Sequence, residues 1–246
     1  MNEKQFSDAE SAGLYKLAGF AALLAMSANL FDVILGFGET EIVVSGARSA
    51  IEWFSLFQVN WFKGLYTLGI LNIIYMLCMI PVYFAALIAH RRNFIVSALA
   101  MILFLLALAL YVSNSAAIPM LVLSGKYATA TTEAQRALFA AAGESALVRG
   151  EDFTPGSFPG LLLSGIAAVT LSVAMLRGGV FGKANAWIGI VGFTFLTVFS
   201  ILATFFHTLY FIAFYIFGMV GGLLALTWFA LVARRYLQLG RDVTKD

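Results

Sequence analysis

Long apolar runs alternate with short charged segments along almost the whole chain. A helix that crosses a bilayer needs about 20 mostly apolar residues, and six runs approach or exceed that length. A sliding hydropathy window places spans at 14–36, 65–89, 95–118, 160–176, 187–206 and 209–233. The pattern therefore predicts an all-α, polytopic membrane protein with six transmembrane helices, forming a single membrane domain over residues 1–246.

Two connections, 37–63 and 121–159, are too polar to cross a membrane. In the first, Ser49 and Glu52 have the spacing of a capping box, in which each side chain binds the other residue's backbone N–H at a helix start. In the second, Thr132 and Gln135 have the same spacing before an alanine-rich run. The sequence predicts a short interfacial helix in each outer loop, and an aromatic loop resting on the headgroups is the alternative for the first.

Composition supports a membrane location. Apolar residues make up 61% of the 246 residues and charged residues 11%, whereas soluble domains average about 45–50% and about 25%. The start of the chain lacks the basic region of a secretory signal, so we expect the first span to be retained. Cys78 is the single cysteine, which excludes an intramolecular disulfide and a multi-cysteine metal cluster. No cofactor is expected, because aromatic belts account for the 15% of aromatic residues.

Lysine and arginine fall unevenly on the two sides of the predicted membrane. Six spans place both termini on one side, which holds ten of the fifteen basic residues. The side with the two long loops has Arg48, Lys63, Lys126, Arg136 and Arg149. Positive charge in short loops stays in the cytoplasm, so the sequence predicts cytoplasmic termini and external long loops. Membrane lipids are the expected partners, and no basic run indicates nucleic acid.

Asp32 is the only carboxylate inside a predicted span, roughly one helical turn below the outer boundary. A buried charge in lipid is costly and needs a partner. Asn29 lies three residues before Asp32 and therefore on the same helical face. The other polar residues predicted near the outer ends of the spans are Lys63, Asn114, His207 and Tyr210. Polar groups thus gather in the outer leaflet, as they would in a ligand pocket open to the outside.

Two interpretations of these residues stay open at the level of sequence. In the first, Lys63 or His207 neutralises Asp32, and the two asparagines join helices by hydrogen bonds. In the second, Asp32 is the acid of a binding or proton-handling site, with His207 as its titrating partner and the asparagines and Tyr210 as orienting donors. A metal site is not expected, because the chain has two histidines and His90 falls on the opposite side.

Glycine spacing predicts close helix contacts within the bundle. Gly218 and Gly222 form a small-x-x-x-small pair, with Gly221 beside them, and Gly160 and Ser164 form another. Such pairs let helix backbones approach each other in membranes. We interpret both as packing positions.

A resemblance to a known family rests on three segments, which run from Leu123 to Glu144, from Val173 to Lys183 and from Trp187 to Gly192. They resemble an uncharacterised family of bacterial multi-helix integral membrane proteins, known as a domain of unknown function. The resemblance covers most of the chain from Leu14 to Arg235. It implies a location in the bacterial cytoplasmic membrane, and the family offers no activity or catalytic residue to carry over.

The outer part of that resemblance includes Lys126, Tyr127, Arg136 and Glu144, in or beside the helix predicted after Thr132. Surface segments of this kind often carry function. A capped helix here could fold over the outer mouth of the bundle as a lid.

The sequence predicts an inner-membrane protein that binds or passes a small or lipidic molecule at an outer-leaflet polar pocket. One alternative is an accessory structural subunit of a larger membrane complex, with other membrane protein subunits as partners. A second alternative is an intramembrane enzyme that uses Asp32 and His207.

Overall fold

The computed structural model describes residues 8–36 and 48–242, and over these ranges the chain is all-α without a strand. The α-helices are α1 Asp8–Gly36, α2 Ala50–Val59, α3 Trp61–Thr67, α4 Ile70–Ala89, α5 Phe94–Asn114, α6 Ala117–Thr129, α7 Glu133–Gly150, α8 Phe158–Gly178, α9 Lys183–Phe205, α10 Tyr210–Ala213 and α11 Met219–Asp242. A π-helical turn, Phe214–Gly218, joins α10 to α11. Within the described residues, six helical segments are long and apolar enough to cross a membrane. The chain is therefore a multi-pass membrane protein, and the predicted fold class is confirmed.

These six candidate spans follow the predicted order but differ at some ends. They are Glu10–Leu35, Ile70–Ala89, Phe94–Thr129, Phe158–Gly178, Lys183–Phe205 and His207–Asp242. The third continues as α6 where the sequence placed a polar loop, because Met120 is buried against other loop helices. The sixth extends beyond Ala233, because Tyr236 and Gly240 remain buried after that residue.

The six long helices form a closed ring in chain order. The helices α1, α4, α5, α8, α9 and α11 each lie against the next, and α11 returns to α1. Short connections at 90–93, 179–182 and 206–209 make consecutive helices neighbours. Contact between α1 and α11, which come from opposite ends of the chain, closes the ring.

Small and aromatic side chains fill the centre of the ring. Trp228 is fully buried, and Tyr83 stacks on Phe104 with ring centroids 4.3 Å apart. The inward face of α1 is made of alanines at helical spacing, namely Ala18, Ala22, Ala25 and Ala28. Small residues allow neighbouring helices to approach closely in a membrane, where dispersion contacts rather than water exclusion hold helices together.

The two ends of the ring are clearly different. At one end, Gly240 packs against Ala12 and Lys16, while His90 is buried and stacks on Phe181 with centroids 5.5 Å apart. We call this end the terminal side. The opposite end carries α2, α3, α6 and α7, and we call it the loop side.

The four loop-side helices form a layer with its own apolar core, which we call the loop-side cap. Its buried residues are Ala50, Trp53, Phe54, Phe57, Leu68, Ala116, Ala117, Met120 and Leu147. The Ala50 backbone N–H donates to Glu144 Oε1 at 2.6 Å, which ties the start of α2 to the middle of α7. The Gln58 amide donates to the Ser124 carbonyl at 3.2 Å and ties α2 to α6.

The helix starts predicted in the two long loops, at Ser49 and Thr132, are both confirmed. The Ser49 backbone N–H donates to Glu52 Oε2 at 2.7 Å, and the Ser49 hydroxyl accepts from the Glu52 backbone N–H at 3.4 Å. In α7, the Thr132 hydroxyl accepts from the Gln135 backbone N–H at 3.2 Å. These side chains satisfy donors that have no partner within the helix.

Candidate functional site

The connection between α7 and α8, residues 151–157, is fixed to the loop-side end of α5. Gly150 lies so close to the Asn114 carbonyl that a side chain at this position would collide with it. The Asn114 amide donates to the Gly156 carbonyl at 2.9 Å, and the Arg149 guanidinium donates to the Ser113 carbonyl at 2.8 Å. The connection is therefore held over the mouth of the ring at both of its ends.

Asp152 extends from this connection into the bundle. The Tyr111 hydroxyl donates to Asp152 Oδ1 at 2.6 Å, and the Asn72 amide donates to Oδ2 at 3.1 Å. Gly69 lies beside Tyr111 and Asp152: a Cβ built on Gly69 would be 2.8 Å from the Tyr111 hydroxyl oxygen and 3.2 Å from Asp152 Oδ2. Side chains from α4 and α5 thus hold both carboxylate oxygens.

Asp32 of α1 completes the arrangement. Its half-buried carboxyl is close enough to Asp152 and Tyr111 for electrostatic interaction with both. Asp152 is the charge that acts on Asp32, and Tyr111 and Asn72 are hydrogen-bond donors to Asp152. The result is a pair of acids with neutral hydrogen-bond donors, which we call the carboxyl pair.

Two acidic groups of the connection hold their protons more tightly than free carboxyls. Burial raises the pKa of Asp152, although the hydrogen bonds from Tyr111 and Asn72 act in the opposite direction. Burial, together with the neighbouring Asp152, raises the pKa of Glu151 to about 7. Desolvation penalises the charged form of an acid, and a second negative charge adds to the penalty. Burial therefore favours the protonated forms of these two carboxyls.

Backbone strain lies next to the carboxyl pair. Phe153 has φ +60°, a left-handed conformation that is rare for a bulky residue and often marks a functional site. Its ring packs edge-on against Phe199 with centroids 5.0 Å apart. This contact places the Phe153 ring against α9.

The residues predicted for the site are only partly brought together. Asp32 lies in the carboxyl pair, and Tyr210 is close enough to Asp152 for electrostatic interaction. The Asn29 amide instead donates to the Ala25 carbonyl of its own helix at 3.1 Å. His207 is exposed in the turn before α10.

Asn114 and Lys63 both lie near helix ends on the loop side. Asn114 anchors the connection through the Gly156 carbonyl, as described above. Lys63 lies in the first turn of α3, where its backbone N–H donates to Asn60 Oδ1 at 2.9 Å. Asn114 therefore contributes to the site by positioning Asp152.

Sequence reasoning missed Asp152, Tyr111 and Asn72. Asn72 carried a usable signal, because a polar amide inside an apolar span needs a hydrogen-bond partner. Asp152 carried none, since acidic residues are common in polar loops and nothing in its neighbours indicates burial.

Two grooves flank the bundle, and Asp32 lines neither. One, of about 280 Å³, lies on the loop side and is lined by Asn114, Ser115, Pro119, Leu123, Ala142, Ser145, Ala146 and Arg149. The other, of about 350 Å³, lies towards the terminal side and is lined by Leu23, Ala230, Arg234, Leu237, Gln238 and Arg241. Within residues 8–36 and 48–242, no three His, Cys, Asp or Glu side chains come together as metal ligands.

Comparisons with known proteins found no relative. No protein-family model, no curated protein and no solved structure matches this chain.

Proposed function

We propose that this chain is a multi-pass protein of the bacterial cytoplasmic membrane that binds or passes a small or lipidic molecule at the carboxyl pair. The observation that carries the proposal is that Asp32 lies within electrostatic reach of Asp152 at the loop-side end of the ring, where Tyr111 and Asn72 donate hydrogen bonds to Asp152. A charged group at this depth is costly and usually serves a function.

The chemistry of the carboxyl pair favours a ligand that brings hydrogen-bond donors or a positive charge. Two neighbouring carboxyls repel each other when both are ionised. A proton or a cationic group placed between them removes that repulsion. The ligand class is therefore an amine or another donor-rich group, bound in exchange with protons.

The enzyme alternative receives less support. An enzyme of this kind requires His207 beside Asp32, whereas His207 is exposed. The charged group that acts on Asp32 is Asp152. General acid–base catalysis requires hydrogen-bond reach between the reacting groups. Binding or passage needs only the carboxyl pair and its neutral donors.

Native mass spectrometry of the gently extracted protein tests the binding proposal. We expect a small adduct on the wild-type protein that Asp32→Asn and Asp152→Asn release and that Glu133→Gln retains. Glu133 is the matched control, since it is an exposed loop-side acid paired with Arg136 at 3.2 Å. An adduct retained equally by all three variants would contradict the proposal, and stoichiometric foreign subunits would support the structural-subunit alternative instead.

Labelling of single cysteines in a Cys78→Ser background tests the proposed orientation. Lys126→Cys on the loop side and Asp242→Cys on the terminal side are both exposed positions. In intact cells, a membrane-impermeant maleimide should label the first and not the second. The reverse result would place the termini outside.

A further inference from the structure

The groove towards the terminal side has the composition of a lipid headgroup site. It lies between α1 and α11, and its polar lining consists of Arg234, Gln238 and Arg241. These residues follow Ala230 at intervals of four, four and three, so they share one face of α11. Leu23 of α1 and Leu237 supply the apolar part of the wall.

The depth of these side chains matches the polar layer of a bilayer. The apolar run of the last span ends at Ala233, so Arg234 is the first charged residue beyond it. With about 1.5 Å of rise per residue, Gln238 lies about 6 Å further along the axis, and the headgroup layer is about 5–7 Å thick on each side. Ala230 and Leu23 lie on the hydrocarbon side of this boundary. A lipid seated here would place its phosphate beside the guanidinium and its chains against the apolar wall.

The chemistry of Arg234 fits an anionic ligand. The side chain is exposed, and within the described part of the chain it makes no hydrogen bond or ion pair with protein groups. Its neighbour Arg235 differs, because Arg235 Nε donates to the Val180 carbonyl at 2.8 Å and serves the protein's own structure. A guanidinium binds phosphate through two parallel hydrogen bonds. No acidic side chain is among the described residues that line the groove.

We propose that this groove binds the phosphate-bearing headgroup of an anionic phospholipid, with Arg234 and Gln238 as the principal donors and Arg241 as a second cation. Basic pockets between membrane helices on the cytoplasmic side bind such headgroups. The site lies at the opposite end of the bundle from the carboxyl pair, so the two proposals fail or succeed separately.

Lipid retention measured by native mass spectrometry tests this site. Protein reconstituted with equal amounts of phosphatidylglycerol and phosphatidylcholine should retain more of the first. One basic residue near an anionic membrane contributes about 1 kcal/mol, so Arg234→Gln should lower phosphatidylglycerol retention about fivefold. Arg234→Lys should restore part of the loss, since it keeps the charge without the planar fork.

Lys183→Gln is the matched control, because Lys183 is an exposed base on the same side that does not line the groove. We expect its lipid retention and the melting temperatures of both variants to equal those of the wild type. Equal losses in Arg234→Gln and Lys183→Gln would overturn the proposal, as would equal retention of the two lipids. Inorganic phosphate tests whether the ligand is instead a soluble phosphate compound. The lipid assignment would be wrong if phosphate stabilised the lipid-free wild type but not Arg234→Gln, and if the wild type showed no preference between the two lipids.

Discussion

Two residues with left-handed backbone conformations help to set the position of Asp152. Gly69, with φ +82°, separates α3 from α4 and leaves room for the Tyr111 hydroxyl and the Asp152 carboxylate. Phe153, with φ +60°, follows Asp152 directly. Glycine adopts the left-handed backbone region without steric cost, whereas a residue with a Cβ adopts it only at a cost in free energy. The carboxyl pair therefore depends on one permissive residue and one strained residue.

Gly69→Ala should destabilise the protein by about 1–2 kcal/mol for the left-handed backbone alone. The new Cβ would also lie 2.8 Å from the Tyr111 hydroxyl oxygen, so one of the hydrogen bonds to Asp152 should be displaced. Thermal unfolding in detergent measures the change. Gly125→Ala is the control, because a Cβ there meets no atom within 4 Å; equal melting temperatures for the two variants would contradict this explanation.

Glu151 should make stability depend on pH. Its pKa is raised from 4.5 to about 7 in the folded protein, so between these values the folded state holds a proton that the unfolded chain has lost. The contribution of Glu151 to the free energy of unfolding is therefore fully present below pH 4.5 and is lost as the pH rises through about 7. Because the carboxyl is partly solvated, we expect it to contribute about 1 kcal/mol to the free energy of unfolding, which corresponds to about 3 °C in melting temperature.

Melting curves recorded at about pH 5 and about pH 8 test this expectation. Glu151→Gln should remove part of the loss at the higher pH, because an amide does not ionise. The Glu133→Gln control should leave the pH dependence of the wild type unchanged. A wild-type melting temperature that rises between these two pH values would show that the sign is wrong.

At the scale of elements, single glycines set the distances between helices. Gly221 of α11 lies against the Gly192 carbonyl and Leu196 of α9, where a Cβ would be 3.0 Å from each. Gly160 of α8 lies against the Tyr111 backbone of α5. The packing role predicted for these two positions is confirmed. The predicted pair of Gly218 and Gly222 makes no such close contact: a Cβ added to Gly218 would meet Phe214 and Phe199 only at ordinary distances of 3.4 and 3.5 Å, and one added to Gly222 would meet no atom within 4 Å.

Gly221→Leu should therefore separate α9 from α11 and destabilise the protein by about 1–3 kcal/mol, the usual cost of overpacking. The adjacent Gly222→Leu substitution places the same side chain in open space and should leave stability nearly unchanged. Thermal unfolding and the yield of monodisperse protein in detergent compare the pair. A similar loss in both variants would indicate that helix propensity or insertion, rather than contact with α9, controls the effect.

The helix α7 illustrates how an element can be predicted without its role. Its start at Thr132 is confirmed, and Gly143 packs against Ala50 and Phe54 of α2. The lid function remains a prediction. What α7 visibly does is to end at Gly150 against α5 and deliver Asp152 to the ring.

At the scale of the whole molecule, closure of the ring brings the first and last long helices together. Leu23 of α1 and Ala230 of α11 line the same groove. Cysteines at these positions, in a Cys78→Ser background, should be joined by a short bismaleimide. Leu23 paired with Ile166, an exposed residue of α8 across the ring, should remain unlinked. Efficient linkage of the second pair and not the first would exclude the ring order.

The sequence by itself determined the fold class, the number of membrane helices and the helix starts at Ser49 and Thr132, because these depend on local apolar length and on contacts three residues apart. It also identified Asp32, since a carboxylate in an apolar run is visible without a fold. Only the tertiary structure decided that Asp152 is its neighbour, that Tyr111 and Asn72 hold it, and that His207 stays exposed. The reason is that these contacts join residues from distant parts of the chain, and packing of the ring rather than local pattern sets which of them meet.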